Sequence, residues 1–139
     1  MNNLKFRAWE KHEKKYNHKV LVGNLDINDD NYTSCLIFKG KEWVHFDEHS
    51  EIVLEQYTGL KDKHGKEIYV GDIIDINQTV NGYNLFVITF ENGLINVRYA
   101  HDMSQYEYDI LELLDWDQLS LIETENEVMG NIHENKELL

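Results

Sequence analysis

Short runs of β-branched and aromatic residues, separated by turns that contain glycine, repeat along most of this sequence of 139 residues. The run 85–90 leads into Asn92-Gly93 and a second run at 94–99, which is the pattern of two strands joined by a tight hairpin. A turn at 39–42, with Gly40 available for a positive φ, separates two further apolar runs. Runs this short and closely spaced favour antiparallel strands, so the turns predict a mainly β fold.

The remaining segments complete the expected fold class. Apolar residues recur at helical spacing between 109 and 116, which predicts one short amphipathic helix, and the charged segment 10–19 is expected to be an exposed loop. We therefore expect an α+β fold that is mainly β: a small SH3-like antiparallel barrel with N- and C-terminal additions and one or two short helices. The barrel core is placed at about 52–99, within a single domain spanning 1–139. Other short strands are expected at 4–9, 19–22, 52–54, 119–122 and 128–132.

Length and composition limit the class of protein further. A chain of this size buries roughly two thirds of the surface that its unfolded form exposes, so it needs no disulfide or metal to fold. Its single cysteine, Cys35, excludes an internal disulfide and is expected to be a small core residue. No apolar run approaches the ~18 residues of a membrane span, and residues 1–10 lack the apolar segment of a signal peptide. We expect a cytoplasmic protein without membrane contact.

The formal charge of −13 is concentrated near the C-terminus. Residues 1–50 are neutral in sum, whereas residues 101–139 contain one basic and eleven acidic side chains, a net charge of −10. Binding to phosphates requires clustered lysine or arginine, so this charge argues against nucleic acid and favours a basic protein partner. The candidate acidic partner face consists of Glu107, Asp109, Glu112, Asp115 and Asp117.

One loop carries the opposite charge. Lys61, Lys63 and Lys66 cluster beside Tyr57 and Tyr69, a combination of cations and aromatic rings that could contact nucleic acid or a protein partner. Three lysines are a small footprint in a chain of this net charge, because long-range repulsion from phosphate opposes binding. A solvated turn is the simpler interpretation of this loop.

No motif in the sequence predicts catalysis or a bound cofactor. There is no phosphate-binding loop, no dinucleotide fingerprint and no nucleophile paired with a matched base. His45 and His49 would share a face only on a helix, and the run 43–46 is typical of a strand. We therefore expect neither an enzyme nor a metal or cofactor site. A pair of carboxylates from distant segments remains open at this point.

Three segments carry a resemblance to a known family. Gln56–Ile74, with the sequence QYTGLKDKHGKEIYVGDII, resembles the central signature of the YopX family of bacteriophage and prophage proteins. Lys5–Glu10 resembles the opening of that family and Gly130–Leu139 its ending, with Lys136 where proline is expected. The resemblance implies a phage-encoded protein in the cytoplasm of a bacterial host. It implies no catalytic residues, because no function of the family is known.

The central signature also has a structural interpretation. Gly59, Gly65 and Gly71 recur six residues apart, as suits turns and close backbone approach. Asp62 and Asp72 can accept hydrogen bonds from neighbouring turn amides. We interpret Gly59, Gly65, Gly71 and Asp72 as structural turn residues, and we expect a sharp bend or bulge at Gly71-Asp72.

These observations favour a non-enzymatic accessory protein that acts through protein contacts, including self-association. The motivation is the richness in tyrosine and tryptophan, which are enriched at interfaces, in a chain without a catalytic set. One alternative is an acidic mimic of DNA that inhibits a host DNA-binding enzyme, a role for which the charge asymmetry is the argument. A second alternative is a nucleic-acid-associated protein of phage replication or regulation.

Overall fold

The computed structural model describes residues 4–23, 34–47, 49–80, 82–91, 93–101, 107–109 and 126–139. These residues form short strands paired in antiparallel ladders, which confirms the expected mainly β fold. The strands are β1 (Phe6–Glu10), β2 (Lys15–Asn17), β3 (Val20–Gly23), β4 (Ser34–Lys39), β5 (Glu42–Phe46), β6 (Ile52–Lys61), β7 (Glu67–Tyr69), β8 (Asp72–Val80), β9 (Tyr83–Glu91), β10 (Leu94–Tyr99), β11 (Glu107–Asp109) and β12 (Glu127–Asn131). A 3₁₀ turn follows at Lys136–Leu138.

The chain divides into two compact units, an N-terminal unit that extends to Gln56 and a C-terminal unit from Tyr57 onward. Strand β6 runs from one into the other, since its residues 52–56 pair with β1 and its residues 57–61 pair with β7. The sequence predicts only a short run at 52–54 here. The prediction is too short because residues 55–61 lack an apolar alternation and include Gly59, which has a φ of 87°.

The N-terminal unit contains two groups of paired strands. β1 lies between β2 and the first half of β6, and β3, β4 and β5 form a three-stranded sheet in that order. Its core consists of Ala8, Ile37 and Phe46, with Cys35 half-buried beside them. Burial raises the pKa of the Cys35 thiol, as expected of a small core residue rather than a reactive one.

Strand β2 corrects part of the expectation of an exposed loop at 10–19, of which residues 11–14 do form an exposed turn. Tyr16 lies opposite Trp9 in the β1–β2 register, and the two rings meet edge to face at 4.9 Å between centroids. This aromatic contact gives the charged segment an apolar anchor that sequence periodicity does not reveal, because a single tyrosine forms no repeating pattern.

The β4–β5 hairpin is confirmed, with Lys39 opposite Glu42 and Gly40 at a φ of 70°. Side chains alternate between the two faces of these strands. Ile37 and Phe46 face the core, whereas Phe38 and Trp43 share the opposite face, with 5.4 Å between their ring centroids.

The C-terminal unit is built on the sheet β11-β10-β9-β8-β12. The β9–β10 hairpin is confirmed with an unbroken register from Leu94↔Glu91 to Tyr99↔Phe86. One face of the sheet carries a core cluster to which β7 contributes, and the other face packs against the residues near the C-terminus. The first cluster contains Ile68, Ile74, Ile76, Phe86, Ile88, Val97 and Tyr99, and the second contains Ile73, Val87 and Ala100 with Ile132 and Leu138.

Three further elements are predicted in the C-terminal third of the chain. The strand expected at 128–132 is confirmed as β12, which pairs with β8. The helix expected at 109–116, except for its first residue, and the strand expected at 119–122 lie outside the described residues. No helix in the part of the chain that the structure describes is long and apolar enough to cross a membrane.

Candidate functional site

The loop between β6 and β7 is organised by one carboxylate. Asp62 Oδ1 accepts hydrogen bonds from the backbone N–H groups of His64 and Lys66, both at 2.9 Å, and the Gly65 N–H donates to the Asp62 carbonyl at 2.9 Å. The second carboxylate oxygen accepts the Val128 N–H of β12 at 3.0 Å. Asp62 is only 3% exposed. The sequence predicts the local turn, but it does not predict the hydrogen bond from Val128, which lies 66 residues further along the chain.

The lysines of this loop differ in their surroundings. Lys63 Nζ lies 3.4 Å from a carboxylate oxygen of Glu127, and His64 Nε2 lies 3.4 Å from the other. Lys61 and Lys66 are exposed and form no ion pair with the described residues. One of the three cations is therefore balanced by β12, so the loop presents less positive charge than the sequence suggests.

The two tyrosines of the same candidate site face each other across the β6–β7 ladder. Tyr57 lies opposite Tyr69, and their ring centroids are 5.4 Å apart. Tyr69 is only 5% exposed, so its ring contributes to packing. Tyr57 is half-buried and is the more accessible ring of the pair.

The turn between β7 and β8 serves as a junction of the C-terminal unit. The Gly71 N–H donates to the Ile88 carbonyl at 2.8 Å, and its own carbonyl accepts the Ile132 N–H at 2.9 Å. Asp72 is buried, and its carboxylate accepts the Tyr69 N–H at 2.8 Å. The three recurring glycines all have positive φ: Gly59 at 87°, Gly65 at 81° and Gly71 at 93°.

The candidate acidic face falls largely outside the described residues, which exclude Glu112, Asp115 and Asp117. Glu107 and Asp109 lie on β11, at register positions opposite Arg98 and Asn96 of β10. On the neighbouring strand β9, Glu91 holds the Arg98 guanidinium through both carboxylate oxygens, at distances of 2.8 and 3.0 Å. Arg98, which lies opposite Glu107 in the register, is therefore already paired with a carboxylate of β9.

Buried charges in the N-terminal unit are paired. Arg7 Nε lies 2.9 Å from a Glu55 carboxylate oxygen, and the two residues are also opposite each other in the β1–β6 register. The buried Glu10 carboxylate contacts the Lys39 ammonium group. In the described ranges, no group of three or more histidine, cysteine, aspartate or glutamate side chains is arranged to hold a metal ion. Both ion pairs fit a structural role.

Large apolar side chains are exposed at two hairpins. On β5, Trp43 is 44% exposed and Val44 37%, although consecutive residues of a strand point to opposite faces. At the β9–β10 turn, Phe90 is 53% exposed and Leu94 59%. Sequence reasoning did not single out these residues. The available signal was the run 43–46, which contains no charged residue although it lies in a short surface hairpin.

The comparison with protein families decides the relationship: the model of the YopX protein family matches residues 5–139. The chain belongs to the YopX family. Two solved structures are similar over the whole of this chain. Protein EF1440 from Enterococcus faecalis is 26% identical with a TM-score of 0.60 and is covered over 99% of its length. Protein YopX from Bacillus subtilis is 18% identical with a TM-score of 0.54 and is covered over 97%. A comparison with curated proteins gives no significant match.

The YopX signature at Gln56–Ile74 coincides with the second half of β6, the turn around Asp62, β7 and the beginning of β8. Its glycines and aspartates are those that form the positive-φ turns and accept backbone hydrogen bonds. The recognisable YopX motif therefore describes the scaffold of the C-terminal unit. The exposed hairpin residues Trp43, Phe90 and Leu94 lie outside it.

Proposed function

We propose that this YopX-family chain is a non-enzymatic accessory protein, encoded by a phage or prophage, that acts through protein contacts in the cytoplasm of the bacterial host. The observation that carries the proposal is the exposure of tryptophan, phenylalanine, valine and leucine on two hairpins. Aromatic side chains are enriched in protein interfaces, and an apolar side chain gains free energy when a partner removes it from water.

The proposal gains support from the chemistry of the polar residues. The buried carboxylates Glu55, Asp62 and Asp72 accept hydrogen bonds from arginine or backbone N–H groups that lie within the fold. Such carboxylates position strands and turns, and they are not directed at a substrate. Contacts within the fold therefore account for these buried carboxylates, but they do not account for the exposed apolar side chains of the described residues.

The experiment combines light scattering with affinity capture from a bacterial lysate at low salt. We expect self-association or a retained protein, and we expect the variants Trp43→Ser and Phe90→Ser to weaken it. Leu4→Ser is the control, because Leu4 is 73% exposed and precedes β1. A strict monomer that retains no protein would refute the proposal.

We further propose that the core of the C-terminal unit is an SH3-like barrel. Support comes from the antiparallel meander of β8, β9 and β10 and from Ile68, through which β7 packs into the same core cluster. Small barrels of this kind are built from five short, strongly curved antiparallel strands. An experimental structure in which β8, β9 and β10 form a flat sheet, without Ile68 of β7 packed on one face, would contradict this assignment.

A further inference from the structure

Strand β5 forms an open edge of the sheet β3-β4-β5, since β4 is its neighbour on one side and no described strand pairs with the other. Its first four residues, from Glu42 to His45, are exposed. Proteins commonly protect such edges with proline, a bulge or inward-pointing charge. The chain contains no proline, and the β4–β5 register runs without a shift from Lys39↔Glu42 to Cys35↔Phe46. The edge of β5 is thus able to pair.

The turn determines which backbone groups face this edge. The two-residue turn closes on the pair Lys39 and Glu42, and hydrogen-bonded pairs alternate along an antiparallel ladder. Glu42, Val44 and Phe46 therefore direct their N–H and C=O groups toward β4. Trp43 and His45 direct theirs toward the open edge.

We propose that β5 pairs antiparallel with β5 of a second copy of this chain, around a two-fold axis at Val44. The inference rests on the proposed function and names its partner. In this register Trp43 lies opposite the partner's His45, so the outward backbone groups of both strands meet and form four hydrogen bonds across the axis. The pairing joins two three-stranded sheets into one sheet of six strands.

Charge complementarity favours this register over its neighbours. It places Lys41 opposite the partner's Asp47 twice, just beyond the two ends of β5. Both residues are exposed and form no ion pair with the described residues, although Asp47 accepts hydrogen bonds from the His49 N–H and the Ser50 hydroxyl. An axis at Trp43 would instead place Lys41 opposite the partner's His45 and would leave Asp47 with no residue of the partner's β5 opposite it. An axis at His45 would place Trp43 opposite the partner's Asp47. Opposite charges directly across a ladder stabilise the pair, and like charges destabilise it.

The aromatic face of the hairpin agrees with the same arrangement. Leu21, Phe38 and Trp43 lie on the face of the sheet that is opposite to the core cluster, and Lys19 Nζ lies 5.0 Å from the centre of the Phe38 ring. A two-fold axis perpendicular to the sheet brings the same face of both copies to one side. The two cross-strand pairs of Trp43 and the partner's His45 then lie on that face, next to Phe38 of each copy.

The first test blocks the edge and leaves the hairpin intact. His45→Pro removes an N–H that points away from β4, a position at which an edge strand tolerates proline, and His45→Ala is the matched control. Analytical ultracentrifugation of the wild type and of His45→Ala is expected to show twice the monomer mass of 16.5 kDa. His45→Pro is expected to sediment as a monomer with an unchanged circular dichroism spectrum.

The second test exchanges charges. Lys41→Asp and Asp47→Lys each place like charges opposite each other in a homodimer, so each variant alone is expected to be a monomer. An equimolar mixture is expected to form a heterodimer, because each cross-strand pair then joins a positive and a negative side chain. Lys11→Asp is the control, since it changes an exposed charge in the turn between β1 and β2.

The outcomes separate this inference from the function on which it rests. A wild type that is monomeric at every concentration overturns the β5 dimer, and the proposed function then depends on capture of a different protein. A dimer that persists in His45→Pro, or a mixture that does not associate, overturns the β5 interface while self-association stands. Loss of both association and capture overturns both.

Discussion

At the scale of single residues, Asp62 shows how one carboxylate stabilises two separate parts of a fold. Its carboxylate serves two amides of its own loop and one of β12, so it stabilises a local turn and a long-range strand contact together. Burial raises the pKa of Asp62, but the hydrogen bonds from Val128, Lys66 and His64 outweigh it, and the pKa lies below its usual range. The charged form is thus the one that the fold requires.

Replacing Asp62 by alanine is expected to reduce the free energy of unfolding by about 2–3 kcal/mol, since partly buried N–H groups lose their acceptor. The loss should be smaller for Asp62→Asn, which keeps one acceptor oxygen. Because the folded pKa lies below the unfolded value of about 3.9, the carboxylate stabilises the fold above that pH, and the effect disappears as the pH falls through the folded pKa. Urea denaturation from pH 7 to pH 3 measures the stability of each variant and its dependence on pH. Equal acid sensitivity of Asp62→Asn and the wild type would contradict this role.

The Arg7–Glu55 pair predicts a non-additive pair of mutations. Arg7→Met removes the guanidinium that lies 2.9 Å from the buried Glu55 carboxylate and is expected to cost about 3–5 kcal/mol of unfolding free energy. The double variant Arg7→Met/Glu55→Leu is expected to recover most of that loss, because no buried charge remains unpaired. Denaturant midpoints of the two variants provide the measurement. A double variant less stable than Arg7→Met would show that the pair itself carries the stability.

At the scale of elements, turns were more predictable than strand ends. The hairpins at Gly40 and Gly93 could be located because each requires a residue at positive φ between two apolar runs. Strand β2 could not be located, since its anchor is a single contact between Tyr16 and Trp9. The length of β6 was also missed, because residues 55–61 lack an apolar alternation and include Gly59 at a positive φ.

Gly130 of β12 provides a test of close packing at a strand. A Cβ atom at this position would collide with the Asn135 side chain, whose oxygen accepts the Asn131 N–H. Gly130→Ala is therefore expected to destabilise the protein by about 1–3 kcal/mol. Gly23→Ala is the matched control, because nothing lies within 4 Å of its Cβ position. Thermal unfolding compares the two variants, and equal melting temperatures would refute the packing argument.

At the scale of the whole molecule, charge and surface exposure determine which features of the candidate site can be predicted from the sequence. The lysine loop at 61–66 was visible in the sequence because its cations are adjacent in the chain. The ion pair between Lys63 and Glu127 was not, because that contact joins β12 to the loop. The β5 edge escaped prediction for a similar reason: whether β5 is an edge strand depends on how many strands the finished sheet contains.

The net charge of −13 leads to a prediction about nucleic acid. We expect no retardation of a short DNA duplex at an ionic strength of about 0.15 M, because Lys61 and Lys66 alone release few counterions. A gel-shift assay with increasing salt measures this. If a shift occurs and replacement of Lys61, Lys63 and Lys66 by glutamate abolishes it, the loop binds nucleic acid and the prediction is wrong. The triple variant Lys11→Glu/Lys14→Glu/Lys15→Glu replaces three exposed lysines outside the loop and controls for the same change in total charge.

The bond between Asp62 and Val128 also has a consequence for biosynthesis. The ribosome makes Asp62 long before β12, and until β12 leaves the exit tunnel the edge of β8 and one Asp62 oxygen have no protein partner. Contacts between residues so far apart in sequence form slowly, and exposed strand edges aggregate. The nascent C-terminal unit therefore completes its sheet only after β12 has been synthesised, and until then it depends most on chaperones that shield β-strands.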